Sequence, residues 1–162
     1  MRHDGDFAAY TAARWPAIVR SLVLLGCAQQ EAEGVGRQAL ARCYLAWGRI
    51  RESDDIDVHV YGTVLDCLDR TRRRAGEPSP AASEPVIELV DLTDAARVRY
   101  ALEGALGRLA PEERTVVVLR FAAGLSELQL SELLDLPMDA VESSLSGAMT
   151  GLDLPTVREA SR

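Results

Sequence analysis

Cys27, Cys43 and Cys67, His3 and His59, and the serines Ser143, Ser144 and Ser146 are the side chains of this 162-residue chain that could act as nucleophiles, bases or metal ligands. Their spacing argues against each role. A structural zinc site needs paired Cys or His ligands two to five residues apart, and no such pair occurs. An odd number of widely spaced cysteines is not a disulfide framework either. The three thiols fall on or near apolar faces and read as core thiols. His59 stands between Val58 and Val60 and reads as a surface residue of a helix, and the serine run has no neighbouring base. We therefore expect no enzyme, no metal, no cofactor and no small-molecule substrate.

Charge is the chemistry that remains. Eighteen basic residues, all arginine, face 25 acids, giving a formal charge of -7 and a pI near 4.9. That balance argues against a protein that coats nucleic acid by neutralising phosphates. The distribution is uneven. Arg70, Arg72, Arg73 and Arg74 cluster within five positions, which suits phosphate contact or the negative end of a helix. From Phe121 to Val157 there is no arginine, while six acids give that stretch a local charge of -6.

These residues need a scaffold, and composition indicates its kind. Hydrophobic residues make up 48% and aromatics only 5%, which points to a globular core of Leu, Val and Ala. The longest apolar run, Ile18 to Gly26, is interrupted by Arg20 and is too short for a bilayer span. Asp4 and Asp6 stand where a signal peptide would be basic, so the expected compartment is the cytoplasm, without a membrane partner. One stretch, Gly76 to Thr93, holds three prolines, four acids and no base and reads as an extended linker. It divides the chain into a block at 1–75 of charge +1, the linker at 76–93 of charge -4, and a block at 94–162 of charge -4.

Both blocks show helical periodicity, so the fold class is all-α: two small helical modules joined by an acidic, Pro-rich linker. In the first block, Phe7, Tyr10, Ile18, Val19, Leu22 and Leu25 share a face, with Asp6 as N-cap, Gly26 as stop and a kink or break at Pro16. A second helix is expected from Gln30 to Gly48, with Ala32, Val35, Ala39, Leu40, Cys43, Tyr44 and Trp47 inward. Gly34 and Gly36 weaken its first turns. A third is expected from Asp55 to Arg74, with Val60, Val64, Cys67 and Leu68 inward. The second block reads as four shorter helices. Asp94 caps the first, Pro111 opens the second and Gly124 ends it. Ser126 and Gln129 form a capping box for the third. After the turn Asp135-Leu136-Pro137, the last helix runs from Met138 to about Leu152. A short helix, a tight turn and a second helix make a helix-turn-helix signature.

Particular segments carry a family resemblance. DFAAYTAARWPAIVRSLVLL and AEGVGRQALARCYLAWGRI look like the first two helices of the extracytoplasmic-function sigma factors of actinobacteria. ALGRLAPEERTVVVLRFAAGLSELQLSELLDLP is similar, almost position by position, to that family's promoter-recognition module. The resemblance implies a sigma region 2-like module, which binds core RNA polymerase and opens the minus-ten element, at 1–75. It implies a region 4-like module, which reads the minus-thirty-five element in the major groove, at 94–162. The linker would thread the polymerase's RNA exit path, where its acids would mimic nucleic acid, or would serve only as a solvated tether.

Carried over by position, the polymerase-binding residues are Glu33, Val35, Arg37, Leu40 and Arg42. The DNA-binding residues of the first module are Tyr61, Asp66, Arg70, Arg72, Arg73 and Arg74. Those of the helix-turn-helix are Ser126, Gln129, Met138, Asp139, Glu142, Ser143 and Ser144. The sequence departs from the family on these same faces. Glu33-Gly34-Val35-Gly36-Arg37 replaces the usual Glu-Asp-Leu-Val-Gln. Tyr61 and Gly62 replace paired basic residues, Asp66 an Asn, and Arg72 a Trp that would stack on an unpaired base. The last helix, MDAVESSLSGAMTGL, has two acids and no base, although a helix in the groove must lie against phosphates.

The resemblance implies a sigma factor with three partners: core RNA polymerase, promoter DNA (which the acidic recognition helix disfavours) and an anti-sigma factor. The alternative is a sigma-like regulator that has lost DNA reading. It would act by protein contact, as an anti-sigma decoy or a polymerase modulator.

Overall fold

Leu, Val and Ala recurring every three to four residues give each segment one apolar face, which is buried only by packing against another. A computed structural model of the chain describes residues 2–76 and 94–151, and every regular element in them is an α-helix. In chain order these are α1 (Arg2–Leu24), α2 (Gln29–Leu45), α3 (Trp47–Ile50), α4 (Ile56–Ala75), α5 (Asp94–Gly107), α6 (Pro111–Phe121), α7 (Glu127–Leu134) and α8 (Met138–Gly151). The all-α expectation holds. The linker beyond Gly76, the side chains of His3 and Asp94, and Leu152 lie outside the described residues.

Helix α1 departs from expectation at two points. It is one element that runs through Pro16. The carbonyl left without a donor by that proline belongs to Ala12, which is exposed, so water can serve it. Asp6 is not a cap, since the helix begins before it; its carboxylate instead accepts from Arg51 at 3.1 Å. Gly26, at φ 106°, ends the helix as expected.

The expected second helix is two elements, α2 and α3, with the break at Ala46. Beyond the break Trp47 is buried, its ring 5.1 Å edge-on from Phe7 and 5.4 Å from Tyr10. Tyr44, expected inward, is half exposed; its ring packs on Phe7 and its hydroxyl donates to Asp4 at 2.8 Å. Gly36 has a packing role the sequence did not reveal. A Cβ there would stand 3.0 Å from the Trp15 ring, so the glycine lets α1 and α2 approach. Helix α4 starts at the Asp55 N-cap and buries Val60, Val64, Cys67 and Leu68 as expected. Its first turn is fastened to α1, because Asp57 accepts from the Tyr10 hydroxyl at 2.7 Å and pairs with Arg14.

In the second block, Pro111 opens α6 and Gly124, at φ 77°, follows its end. Val116, Val117, Val118 and Leu119 of α6 are buried with Leu125, Leu130, Val141 and Ala148. These residues and the buried face of the first block form one continuous apolar cluster. Helix α6 meets α1, and α7 lies on α4. Polar bonds cross the same boundary: Arg114 Nε donates to the Leu24 carbonyl at 2.8 Å, and Arg20 Nη2 donates to that of Ala122 at 3.3 Å.

Candidate functional site

The helix-turn-helix is built by local chemistry. Ser126 Oγ accepts from the Gln129 N–H at 3.1 Å, and Gln129 Oε1 accepts from the Ser126 N–H at 2.8 Å, so the expected capping box is complete. At the other end of α7, Asp135 takes the left-handed conformation (φ 53°), which Asp tolerates better than most residues. The Leu136 N–H returns to the Ser131 carbonyl at 3.1 Å, and Ser131 Oγ donates to the Leu136 carbonyl at 2.6 Å. The chain then reverses into α8, whose buried face is Val141 and Ala148.

The outward face of α8 presents Met138, Asp139, Glu142 and Ser143, with Ser144 half-buried. Ser126 is exposed, and Gln129 is half-buried. Farther along α8, Met149 is 57% exposed, and Leu128 on α7 is 70% exposed. From Phe121 to Gly151 there are five acids and no arginine. A duplex approaching α8 would meet a repulsive field.

The opposite charge is concentrated at the end of α4. Arg70, Arg73 and Arg74 are exposed there, as is Asp66. Gly76, at φ 66°, closes the helix, and the arginines stand at the negative end of its dipole. Two of the expected DNA contacts are used otherwise. Tyr61 is fully buried, and burial pushes its phenol up to about 12, so it is a core residue and not a contact. Arg72 turns back to donate to the Leu25 carbonyl at 2.6 Å, capping α1. Arg114 caps the neighbouring carbonyl of α1, and burial lowers its pKa. A small cleft of about 60 Å³ lies between these two arginines and Leu25, Leu109 and Pro111.

On α2 the expected polymerase-binding residues divide in the same way. Val35 and Leu40 are 3% and 6% exposed; they pack the core, and their assignment as contact residues is corrected accordingly. Glu33 is half-buried, accepts from Gln29 Nε2 at 2.8 Å and pairs with the exposed Arg37 at 3.7 Å; Arg42 is half-buried. The apolar side chain this surface does offer is Leu45, 87% exposed at the end of α2. The sequence held one signal for it: Leu45 falls off the periodicity of the buried face.

The thiols are core groups. Cys27, Cys43 and Cys67 are free and buried, and burial raises Cys27 to about 11 and also raises Cys43. At neutral pH Cys27 and Cys43 are protonated and are not nucleophiles. Among the described residues, no group of acids, histidines and cysteines is placed to hold a metal ion, and no helix is long and apolar enough to cross a membrane.

Comparison with known proteins agrees with this geometry. Residues 99–152 match the family described as Sigma-70, region 4. Two proteins named RNA polymerase sigma-E factor, from Streptomyces coelicolor and Streptomyces avermitilis, are each 28% identical over 148 residues. The alignments span 91% of this chain and 84% and 83% of those proteins. Among solved structures, the sigma factor RpoE in complex with the anti-sigma factor NepR from Bartonella quintana has the same fold. It gives a TM-score of 0.71 at 17% identity over 97% of this chain and 99% of that one. CnrH in complex with the cytosolic domain of CnrY gives 0.65 at 19% identity, over 96% and 89%. In motif, in alignment over most of its length and in fold, the chain resembles the extracytoplasmic-function sigma factors of RNA polymerase.

Proposed function

We propose that this chain is an RNA polymerase sigma factor of the extracytoplasmic-function type, which binds core RNA polymerase and directs promoter-specific initiation of transcription. The observation that carries the reading is the region 4 match over 99–152, which contains the intact capping box and turn of the helix-turn-helix. The alignment with sigma-E factors over most of the chain supports extending it to the first block. In this reading 1–75 is the module for core polymerase and the minus-ten element, 76–93 the linker, and 94–162 the minus-thirty-five module. It acts in the cytoplasm, where the polymerase works, and needs no catalytic step, metal or cofactor of its own.

Roles follow from exposure. Glu33, Arg37 and Arg42, with Leu45, face the polymerase. Arg70, Arg73 and Arg74 hold phosphates near the melted region, with Asp66 beside them. Met138, Asp139, Glu142, Ser143 and Ser144 of α8 enter the groove, where the serines donate to phosphates or base edges. The structural relative RpoE, captured with the anti-sigma factor NepR, makes such a protein a third partner to expect. The alternative, regulation by protein contact without DNA reading, draws on the acidic α8, but the sigma-E likeness favours initiation.

The test is transcription reconstituted from Streptomyces coelicolor core polymerase, this chain and a library of promoter fragments. The reading expects sequence-selective transcripts that depend on the chain; transcripts no different from core polymerase alone overturn it.

A further inference from the structure

Two helix starts far apart in the chain meet in the fold. At the first turn of α4, Asp55 Oδ1 accepts from the Val58 N–H at 3.2 Å. At the first turn of α7, the Gln129 side chain accepts from the Ser126 N–H through Oε1. The other end of that amide, Nε2, donates to the other oxygen of Asp55, Oδ2, at 2.8 Å. The orientation is determined by chemistry, since only the carbonyl end of the amide can accept from an N–H and only the NH2 end can donate to a carboxylate. One unbroken series of hydrogen bonds therefore joins the α4 cap to the α7 cap, and its central bond is part-buried and charge-assisted. Beside it Leu133 of α7 closes over Gly62 of α4, 3.5 Å from where a Cβ would stand.

We propose that the Gln129–Asp55 contact is an intramolecular latch, which in the free chain holds the helix-turn-helix closed on α4 and is released when the modules engage their targets. While it is closed, both ends of the Gln129 amide are committed, and the residue cannot touch DNA. The face of α4 around Asp55 and Gly62 is covered by α7. A partner that needs the modules apart binds with an affinity reduced by the closed fraction. The functional consequence rests on the sigma-factor reading; the closure itself does not.

The capping box allows the latch to be broken without breaking the helix. Gln129→Glu keeps the carboxyl acceptor that a capping box requires and sets a second carboxylate against Asp55. Adding Asp55→Asn retains an oxygen for the Val58 cap and supplies an NH2 group that Glu at 129 can accept from, so the double variant restores the bond with reversed polarity. Spin labels on the exposed positions Gln38→Cys and Ser146→Cys report the separation of the modules, the native thiols being buried.

The wild-type chain should give one short distance. In Gln129→Glu the fraction at longer distances should rise roughly tenfold or more, the equivalent of losing one charge-assisted bond. The double variant should return to the wild-type distribution. A wild-type distribution in Gln129→Glu, or a double variant that stays open, overturns the latch. Titrating the same three proteins with core RNA polymerase separates the two readings. Tighter binding by the single variant, reversed in the double, supports both. An opening and closing latch with no polymerase binding by any of the three leaves the latch standing and contradicts the sigma-factor reading.

Discussion

Helices α4 and α8 are the two elements proposed to meet nucleic acid, and they differ in the charge they expose. Helix α4 ends in exposed arginines at 70, 73 and 74, aligned with its own dipole. Helix α8 has Asp139 and Glu142 on its outer face and no base at all. In the proposed function this contrast separates attraction from reading: phosphate affinity would come from the first block, and α8 would add contact only once the duplex is held. If α8 reads sequence as proposed, its repulsion of DNA is tolerable where a partner and the neighbouring module supply the encounter.

The largest effect expected from breaking this contrast is on α4. Replacing Arg70, Arg73 and Arg74 together by Ala should weaken duplex binding roughly tenfold to a hundredfold at low salt. It should also flatten the log–log salt dependence by about 0.9 for each phosphate that is no longer neutralised. Fluorescence anisotropy over a salt series measures both, and an unchanged slope would place the phosphate grip elsewhere. On α8 the change should go the other way. Glu142→Arg, at an exposed position, should raise affinity severalfold and steepen the slope by about one unit. Gly147 is a poorer site for the same change, because a side chain there meets Glu113 at 3.4 Å and an arginine would pair with it.

The blocks differ in pH response as well. The buried phenol and thiols with raised pKa values, Tyr61 at about 12, Cys27 at about 11 and Cys43, all lie in the first block. Their unfolded forms release protons from their ordinary values of 10.0 and 9.0 upward, while the folded forms still hold them. The unfolded state then binds fewer protons, and stability falls as pH rises. The expected loss is absent below pH 9 and grows towards about 12, beginning in the first block. Thermal melts across that range should show it, with Cys27→Ala and Tyr61→Phe less sensitive than wild type. The smallest effect is expected on the surface of α2. Arg37→Ala removes an exposed pair with Glu33 and should change stability by less than about 0.5 kcal/mol. If it nonetheless weakens polymerase binding, the effect is at the contact and not on the fold.

What could be read from the sequence was what local chemistry determines. Pro111 at a helix start, Gly124 and Gly26 at stops, and the Ser126–Gln129 box are each specified within a few residues, and each is found as expected. Asp6 failed as a cap because the residues before it are themselves helical, which no local rule forbids. Tertiary placement was less legible. Val35, Leu40 and Tyr61 sit at positions the family resemblance assigned to contacts, yet their apolar and aromatic bulk is consumed by the core. Gly36 looked like a weakness and proves to be clearance for Trp15. Asp55 and Gln129 each read as a local cap, and nothing in either segment indicates that their spare hydrogen-bonding groups meet across the fold.

The measurement that bears most directly on the account is a titration of the full chain with Streptomyces coelicolor core RNA polymerase, read by fluorescence anisotropy at moderate salt. Saturable, sub-micromolar binding is the expected result. A chain that is helical by circular dichroism and does not bind the polymerase would contradict it.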